Sequence, residues 1–89
     1  MNEFEVVLTP EAQSDIRTLG GAMRTHILDK LEWMGANAAL IRHQAMKGKR
    51  WHGVFKYRIG NYRIIYQLKV DERQFIVLKV GHRRDVYKP

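Results

Sequence analysis

The sequence predicts an α+β fold: an N-terminal strand, a helical hairpin, then an antiparallel three-stranded meander, all forming one sheet. Three observations carry this reading. Residues 54–68 alternate apolar and polar side chains on either side of Gly60-Asn61, the pattern of a β-hairpin with a two-residue turn. Met23, Ile27, Leu31 and Met34 are spaced by four, four and three, which is one face of a helix. Residues 74–80 form an apolar stretch behind the turn signal Asp71-Glu72-Arg73, as a third meander strand requires. Eighty-nine residues suffice for a single domain spanning 1–89 with one modest core.

Residues 4–8 open the chain as a strand, with Phe4, Val6 and Leu8 on one side. Thr9-Pro10-Glu11 then starts a helix: Thr9 can cap, proline suits the first position and Glu11 the first turn. This helix is expected to run to Leu19 with Ala12, Ile16 and Leu19 inward, and Gly20-Gly21 to end it through a left-handed backbone. A second helix follows over residues 22–34, folding back as a hairpin. Its methionines and Trp33 are expected to fill the core, with His26 half-exposed beside them. Residues 36–46 have no clear period. Lys47-Gly48-Lys49-Arg50 is a basic loop that feeds Trp51 and the meander.

In the meander, a Gly60-Asn61 turn pairs Ile59 with Tyr62, Arg58 with Arg63, Tyr57 with Ile64 and Phe55 with Tyr66. Pairing Ile64 with Val80, Tyr66 with Leu78 and Leu68 with Ile76 then keeps one face apolar. Slipping by one residue would bury Lys79 opposite Ile64. This register sets Gly81 opposite Arg63, puts odd-numbered residues 75–83 on the second face, and joins Arg83 to Lys56, Arg58 and Arg63 there. His82 points the other way. Like charges directly opposite one another destabilise a sheet, and no Asp or Glu occurs between Glu32 and Asp71 to relieve them. A site for an anion explains such a face.

Charge distribution agrees. Within a net charge of +7, residues 1–41 hold three basic and six acidic groups, residues 42–89 thirteen basic and three acidic. A polyanionic partner is implied, nucleic acid before a membrane surface, since no basic amphipathic helix carries the charge. With no cysteine, there is neither a disulfide framework nor a thiolate metal site. No apolar run reaches the roughly 18 residues of a membrane span, and the first residues lack the basic region of a signal peptide. These features predict a soluble, cytoplasmic protein.

Metal chemistry finds no support in the spacing of His26, His43, His52 and His82. A glycine-rich phosphate loop is absent, and the one serine, Ser14, sits in the first helix. What remains is a cationic platform near tyrosines. Such a platform can bind RNA phosphates, with Lys47, Lys49, Arg50 and Arg84 as further contacts. It can also cleave RNA, because the 2′-hydroxyl attacks its own neighbouring phosphate once deprotonated. Arginines steady the charge that accumulates on phosphorus, and a lysine crowded by arginines surrenders its proton more readily.

Tyr62-Arg-Ile-Ile-Tyr66, preceded by Arg58-Ile-Gly-Asn61, together with Val80-Gly-His-Arg-Arg-Asp-Val-Tyr87, resembles the RelE toxins of the RelE/ParE superfamily; Thr9-Pro-Glu-Ala12 and the helical hairpin fit as well. The resemblance covers nearly the whole chain. It implies a toxin of a type II toxin–antitoxin system: a metal-independent, ribosome-dependent mRNA endoribonuclease that leaves a cyclic phosphate and inhibits translation. It assigns Lys56 as general base, Arg58 and Arg63 to phosphate and transition-state contacts, Arg83 as charge stabiliser or acid, and Tyr87 to orientation or base stacking. It further implies an acidic antitoxin that wraps the toxin, and operator DNA bound only through that complex. Two features depart from some members: the hairpin turn is two residues shorter, and Arg58 replaces a lysine. His82 remains an alternative acid to Arg83. The ParE-like branch, which inhibits DNA gyrase without catalysis, and a plain nucleic-acid-binding module are the competing functions.

Overall fold

The computed structural model describes residues 3–86, the side chain of Arg50 excepted. Its elements are β1 (Glu5–Leu8), α1 (Pro10–Arg17), α2 (Gly21–Ala36), β2 (Gln44–Ala45), β3 (Val54–Ile59), β4 (Tyr62–Lys69) and β5 (Gln74–His82), with 3-10 turns at Ala38–Leu40 and Lys49–Trp51. This is the expected α+β arrangement with one strand more. The short β2 adds to β3, giving a five-stranded sheet in the order β1-β5-β4-β3-β2. β1 lies parallel to β5, and the other neighbours are antiparallel.

Thr9 caps α1 by accepting the Ala12 N–H at 3.1 Å, and Pro10 fills the first helical position. The helix ends at Arg17, earlier than expected, and the glycine pair is not its stop. Gly20 has an ordinary φ of −62° and serves as N-cap of α2. Arg24 supplies what the C-terminus needs: its Nη2 donates to Arg17 O at 3.3 Å and Leu19 O at 3.0 Å. α2 buries Ile27, Leu31 and Met34, with Met23 packed beside them. Trp33 contradicts its expected place in the core. It is 44% exposed, and Lys30 Nζ lies 4.9 Å from its ring centroid, so the indole shields a cation at the surface. His26 is exposed, where a half-exposed position was expected.

Gly35 continues α2, which runs to Ala36, past the expected end at residue 34. The Phe4 N–H donates to its carbonyl at 2.7 Å, and a Cβ on Gly35 would stand 2.7 Å from the Phe4 carbonyl oxygen. Helix and strand therefore meet backbone to backbone. After the 3-10 turn, His43 fixes the next segment to the core. One ring nitrogen, Nε2, lies 3.0 Å from Ala38 O, and the other, Nδ1, 2.8 Å from the Tyr66 hydroxyl. A carbonyl can only accept, so Nε2 carries the proton and Tyr66 donates to Nδ1.

The β3–β4 register is the expected one throughout, around a turn in which Gly60 has φ +55°. β5 departs from expectation halfway along. Val80 faces Ile64 and Gly81 faces Arg63, but Tyr66 faces Val77 and Leu68 faces Phe75, not Leu78 and Ile76. A bulge leaves Leu78 as the extra residue and reverses the alternation beyond it. Phe75 and Val77 thus enter the core, 1% and 0% exposed, although strict alternation had put them on the cationic face. Phe75-Ile76-Val77-Leu78 is uniformly apolar, so periodicity could not choose between the two registers. Packing chose: the Phe75 ring sits 4.9 Å from Tyr66 and 5.8 Å from Phe4.

The helices and one sheet face enclose the main core, to which Tyr57, Tyr62, Ile64 and Tyr66 contribute as expected. Beyond the end of β1, α1 closes the outer edge of β5. The Thr9 N–H donates to Val77 O at 3.1 Å, and Asp15 Oδ2 accepts the Val80 N–H at 3.0 Å, so backbone groups without a strand neighbour still find partners. The opposite sheet face is not purely cationic. Val54, Ile65 and Val86 are buried there, with Met46, Trp51 and Leu78 packed against them. Among the described residues no helix is long and apolar enough to cross a membrane.

Candidate functional site

The hairpin β3–β4 carries the centre of the candidate site. Arg58 stands directly opposite Arg63, and Lys56 opposite Ile65, so the three basic side chains leave the same face of adjacent strands. Directly opposed residues have Cβ atoms roughly 5 Å apart. Arg58 is exposed and Lys56 partly buried. Arg63 differs from the expected solvent-facing cation: it is only 8% exposed, and its Nη1 donates to Gly60 O at 2.9 Å and Tyr62 O at 3.0 Å. Carbonyl oxygens at the hairpin tip thereby offset part of its repulsion from Arg58. Both bonds use a single nitrogen of a planar fork with five N–H donors, so one edge is anchored while the rest keeps its donor capacity.

Arg83 follows β5 directly. Its backbone N–H donates to Asn61 O at 2.7 Å, which extends the β4–β5 ladder to the hairpin turn and ties Arg83 to the tip that also holds Arg63. The side chain is exposed. Next the chain turns: the N–H groups of Asp85 and Val86 reach His82 O at 2.8 and 3.1 Å, and the Arg84 N–H reaches His82 Nδ1 at 3.2 Å. Val86 then plugs the second apolar cluster above Gly81, where an added Cβ would lie 3.1 Å from Val86 Cγ1. The small residue opposite Arg63 is what lets the turn close down there.

His82 belongs to β5 and pairs with Tyr62, its ring 5.7 Å from the tyrosine ring at 73°. It lies on the helix side, as the alternation suggested, away from Lys56, Arg58 and Arg63. Lys79, opposite Ile65, has its Nζ 3.5 Å from Glu11 of α1. Lys47 and Lys49 are exposed in the loop before β3, flanking Gly48 with φ +103°, and Arg84 is exposed in the final turn. Tyr87 and the side chain of Arg50 lie outside the described residues. Among the described residues no group of three His, Asp or Glu side chains could hold a metal ion.

Burial raises the Tyr66 hydroxyl well above the ordinary tyrosine range, with the neighbouring Tyr57 adding to the effect. Tyr66 is therefore a neutral donor to His43, not a candidate acid or base. Sequence reasoning passed over Asp15 and His43, which fix the backbone of β5 and of the segment before β2, and considered His82 only as an alternative acid. Asp15 and His43 act across the fold, so no local pattern announces them. His82 had a weak signal, because a side-chain acceptor two residues before an N–H is the Asx-turn arrangement, here made by an imidazole.

A family model described as the ParE toxin of type II toxin-antitoxin system, parDE, matches residues 6–87. No curated protein sequence matches the chain. Among solved structures, the toxin–antitoxin complex RelBE2 from Mycobacterium tuberculosis matches with a TM-score of 0.80 at 20% identity, over 91% of this chain and 99% of that one. The archaeal RelE–RelB complex from Pyrococcus horikoshii OT3 matches at 0.73 and 17% identity, over 97% and 100%. The isolated E. coli RelE toxin matches at 0.71 and 20% identity, over 89% and 83%. Likeness at these identities concerns the fold.

Proposed function

The chain belongs to the ParE toxin family of type II toxin–antitoxin systems, within the RelE/ParE superfamily, and we propose that this member is an mRNA endoribonuclease acting on the ribosome. The observation that carries this is the opposition of Arg58 and Arg63, with Lys56 on the same face and Arg83 tied to the same hairpin tip. A toxin that works only by occupying a protein target has no need of such a set. In the reaction, Lys56 in its neutral form takes the proton from a 2′-hydroxyl, and that oxygen attacks the adjacent phosphorus. Arg58 and Arg63 hold the phosphate oxygens as charge builds up. The bond from phosphorus to the 5′-oxygen breaks, leaving a 2′,3′-cyclic phosphate. The departing oxygen, its charge countered by Arg83, takes a proton from solvent. Tyr87 is assigned to orient or stack on a base, and Lys47, Lys49, Arg50 and Arg84 to hold flanking phosphates.

An acidic antitoxin that wraps the toxin is the partner proposed for this chain, with operator DNA reached only through their complex. Two of the structures named above, from Mycobacterium tuberculosis and Pyrococcus horikoshii OT3, are toxin–antitoxin complexes, which supports an antitoxin partner. The second reading, inhibition of DNA gyrase without catalysis, is favoured by one observation: the matching family model is that of the ParE toxin.

Primer extension on a defined message, with and without ribosomes, separates the two. Wild-type protein should cut within codons only when ribosomes are present, and Arg83→Ala should lose about 100-fold or more in rate, the scale of one lost charge-stabilising contact. Growth arrest without cleavage, accompanied by DNA-damage signalling, would replace the nuclease with a gyrase inhibitor.

A further inference from the structure

Arg83 has an exposed side chain on a short turn, a placement that ordinarily leaves a long cation free to wander. Four backbone hydrogen bonds oppose this, and three of them end on one residue. His82 O accepts the N–H groups of Asp85 and Val86, and His82 Nδ1 accepts the Arg84 N–H at 3.2 Å; the fourth bond is from the Arg83 N–H to Asn61 O. The imidazole itself is held edge-on against Tyr62, whose strand also carries Arg63. We propose that His82 is a positioning residue for Arg83, its neutral ring closing, through Nδ1, the turn that sets where the Arg83 guanidinium stands. The inference rests on the nuclease reading for its functional meaning, and it assigns His82 a role other than that of the acid.

The chemistry is specific about the protonation state. A ring nitrogen accepts an N–H only when it bears no proton, so the proton of the neutral ring is on Nε2. Adding a second proton places it on Nδ1, where it meets the Arg84 N–H donor to donor. The bond is lost and the turn is released on the Arg84 side, while the Arg83 N–H keeps its strand partner. The charged and titratable groups around the ring are Tyr62 on β4, Asp15 on α1, Asp85 within the turn, and Arg83 and Arg84 next in sequence.

Asparagine provides a discriminating substitution. Its Oδ1 also hangs from Cγ and accepts an N–H two residues on, the standard Asx turn, and it does not titrate. Single-turnover cleavage of ribosome-bound message should fall about 10- to 100-fold in His82→Ala, as for a misplaced charge-stabilising group, with message binding little changed. His82→Asn should stay within about threefold of wild type, less than one decade and so only a fraction of the 1.4 kcal/mol a tenfold change represents. Two readouts are independent of cleavage. The wild-type imidazole should show an unprotonated Nδ1 in its nitrogen NMR spectrum near neutrality, and the Arg84 amide should exchange faster in His82→Ala than in wild type or His82→Asn. If folded His82→Asn is as inactive as His82→Ala, the ring acts directly and the proposal is overturned. A proton on Nδ1, or an Arg84 amide indifferent to His82→Ala, also overturns it. Should the wild type cut nothing, the nuclease reading falls by itself, and these two spectroscopic readouts still decide whether His82 closes the turn.

Discussion

Tyr66 shows how much one buried polar group decides at the scale of a residue. Its ring is fully buried, packs on Phe55 and Phe75, and donates its hydroxyl to His43, which in turn reaches Ala38 O. A chain that read as a loose connection is thereby pinned to the sheet through a single relay. Tyr66→Phe should destabilise the protein by about 1–2 kcal/mol in urea melts, because the His43 acceptor loses its donor. A pH signature follows from the same burial. The folded state keeps the hydroxyl proton to higher pH than the unfolded chain does. The associated stability is complete below the ordinary tyrosine pKa of about 10 and is lost progressively as pH rises beyond it. Between about pH 8 and pH 11 the wild type should therefore lose more stability than Tyr66→Phe; an equal loss would mean the hydroxyl titrates normally.

Arg63 makes the complementary point about charge. Two like-charged residues opposed on one strand pair are tolerated because one of them spends Nη1 on carbonyl oxygens at the hairpin tip. Nη1 is thereby anchored, and on the proposed reading the remaining donors of the planar fork are left to meet a phosphate in a fixed orientation.

Among the elements, the contact of α2 with β1 is the most tightly specified. Gly35 lets the helix backbone approach the Phe4 carbonyl so closely that a single methyl group has no room. Backbone, not a flexible side chain, stands in its way. Gly35→Ala should cost about 1–3 kcal/mol, the range for overpacking, and should loosen the start of β1, seen as faster amide exchange at Phe4 relative to residues of β4. An unchanged melting point would show that helix and strand can part without loss. β5 illustrates a different kind of specification. Its bulge turns Leu78 toward the second cluster while keeping Val77 and Phe75 in the first, so one strand serves two cores.

For the molecule as a whole, the uneven charge matters more than any one ion pair. The 10.5 kDa chain carries a net +7, made up of −3 over residues 1–41 and +10 over residues 42–89. On the proposed reading, affinity for single-stranded RNA should fall linearly on a log–log plot against salt, with a slope of about −0.7 for each phosphate neutralised. Arg58→Ala should reduce the steepness by about 0.7, whereas Trp33→Ala, which removes an exposed but uncharged side chain of α2, should leave it unchanged. Equal slopes for wild type and Arg58→Ala would remove this arginine from the interface.

The sequence by itself determined the elements and the β3–β4 pairing. A glycine-asparagine turn between two alternating runs allows one register, and a four-four-three spacing of apolar residues allows one helix face. These are local facts, settled by the backbone geometry of a few neighbours. The basic residues of the hairpin were legible for the same reason: once the turn fixes the register, Lys56, Arg58 and Arg63 must leave the same face. Tertiary structure alone decided what depends on packing at a distance. In the uniformly apolar run 75–78 every register buries hydrophobic side chains, and only the space beside Tyr66 and Phe4 selects Phe75 and Val77. Trp33 fits a helix stripe as well as the surface, until Lys30 occupies its ring. Arg63 reads as a free cation until the hairpin tip folds its carbonyls beneath it. The second core, the added strand β2 and the turn closed by His82 all join segments far apart or contacts too irregular for a period. Their energies arise only when the whole chain is assembled, so no window of sequence contains them.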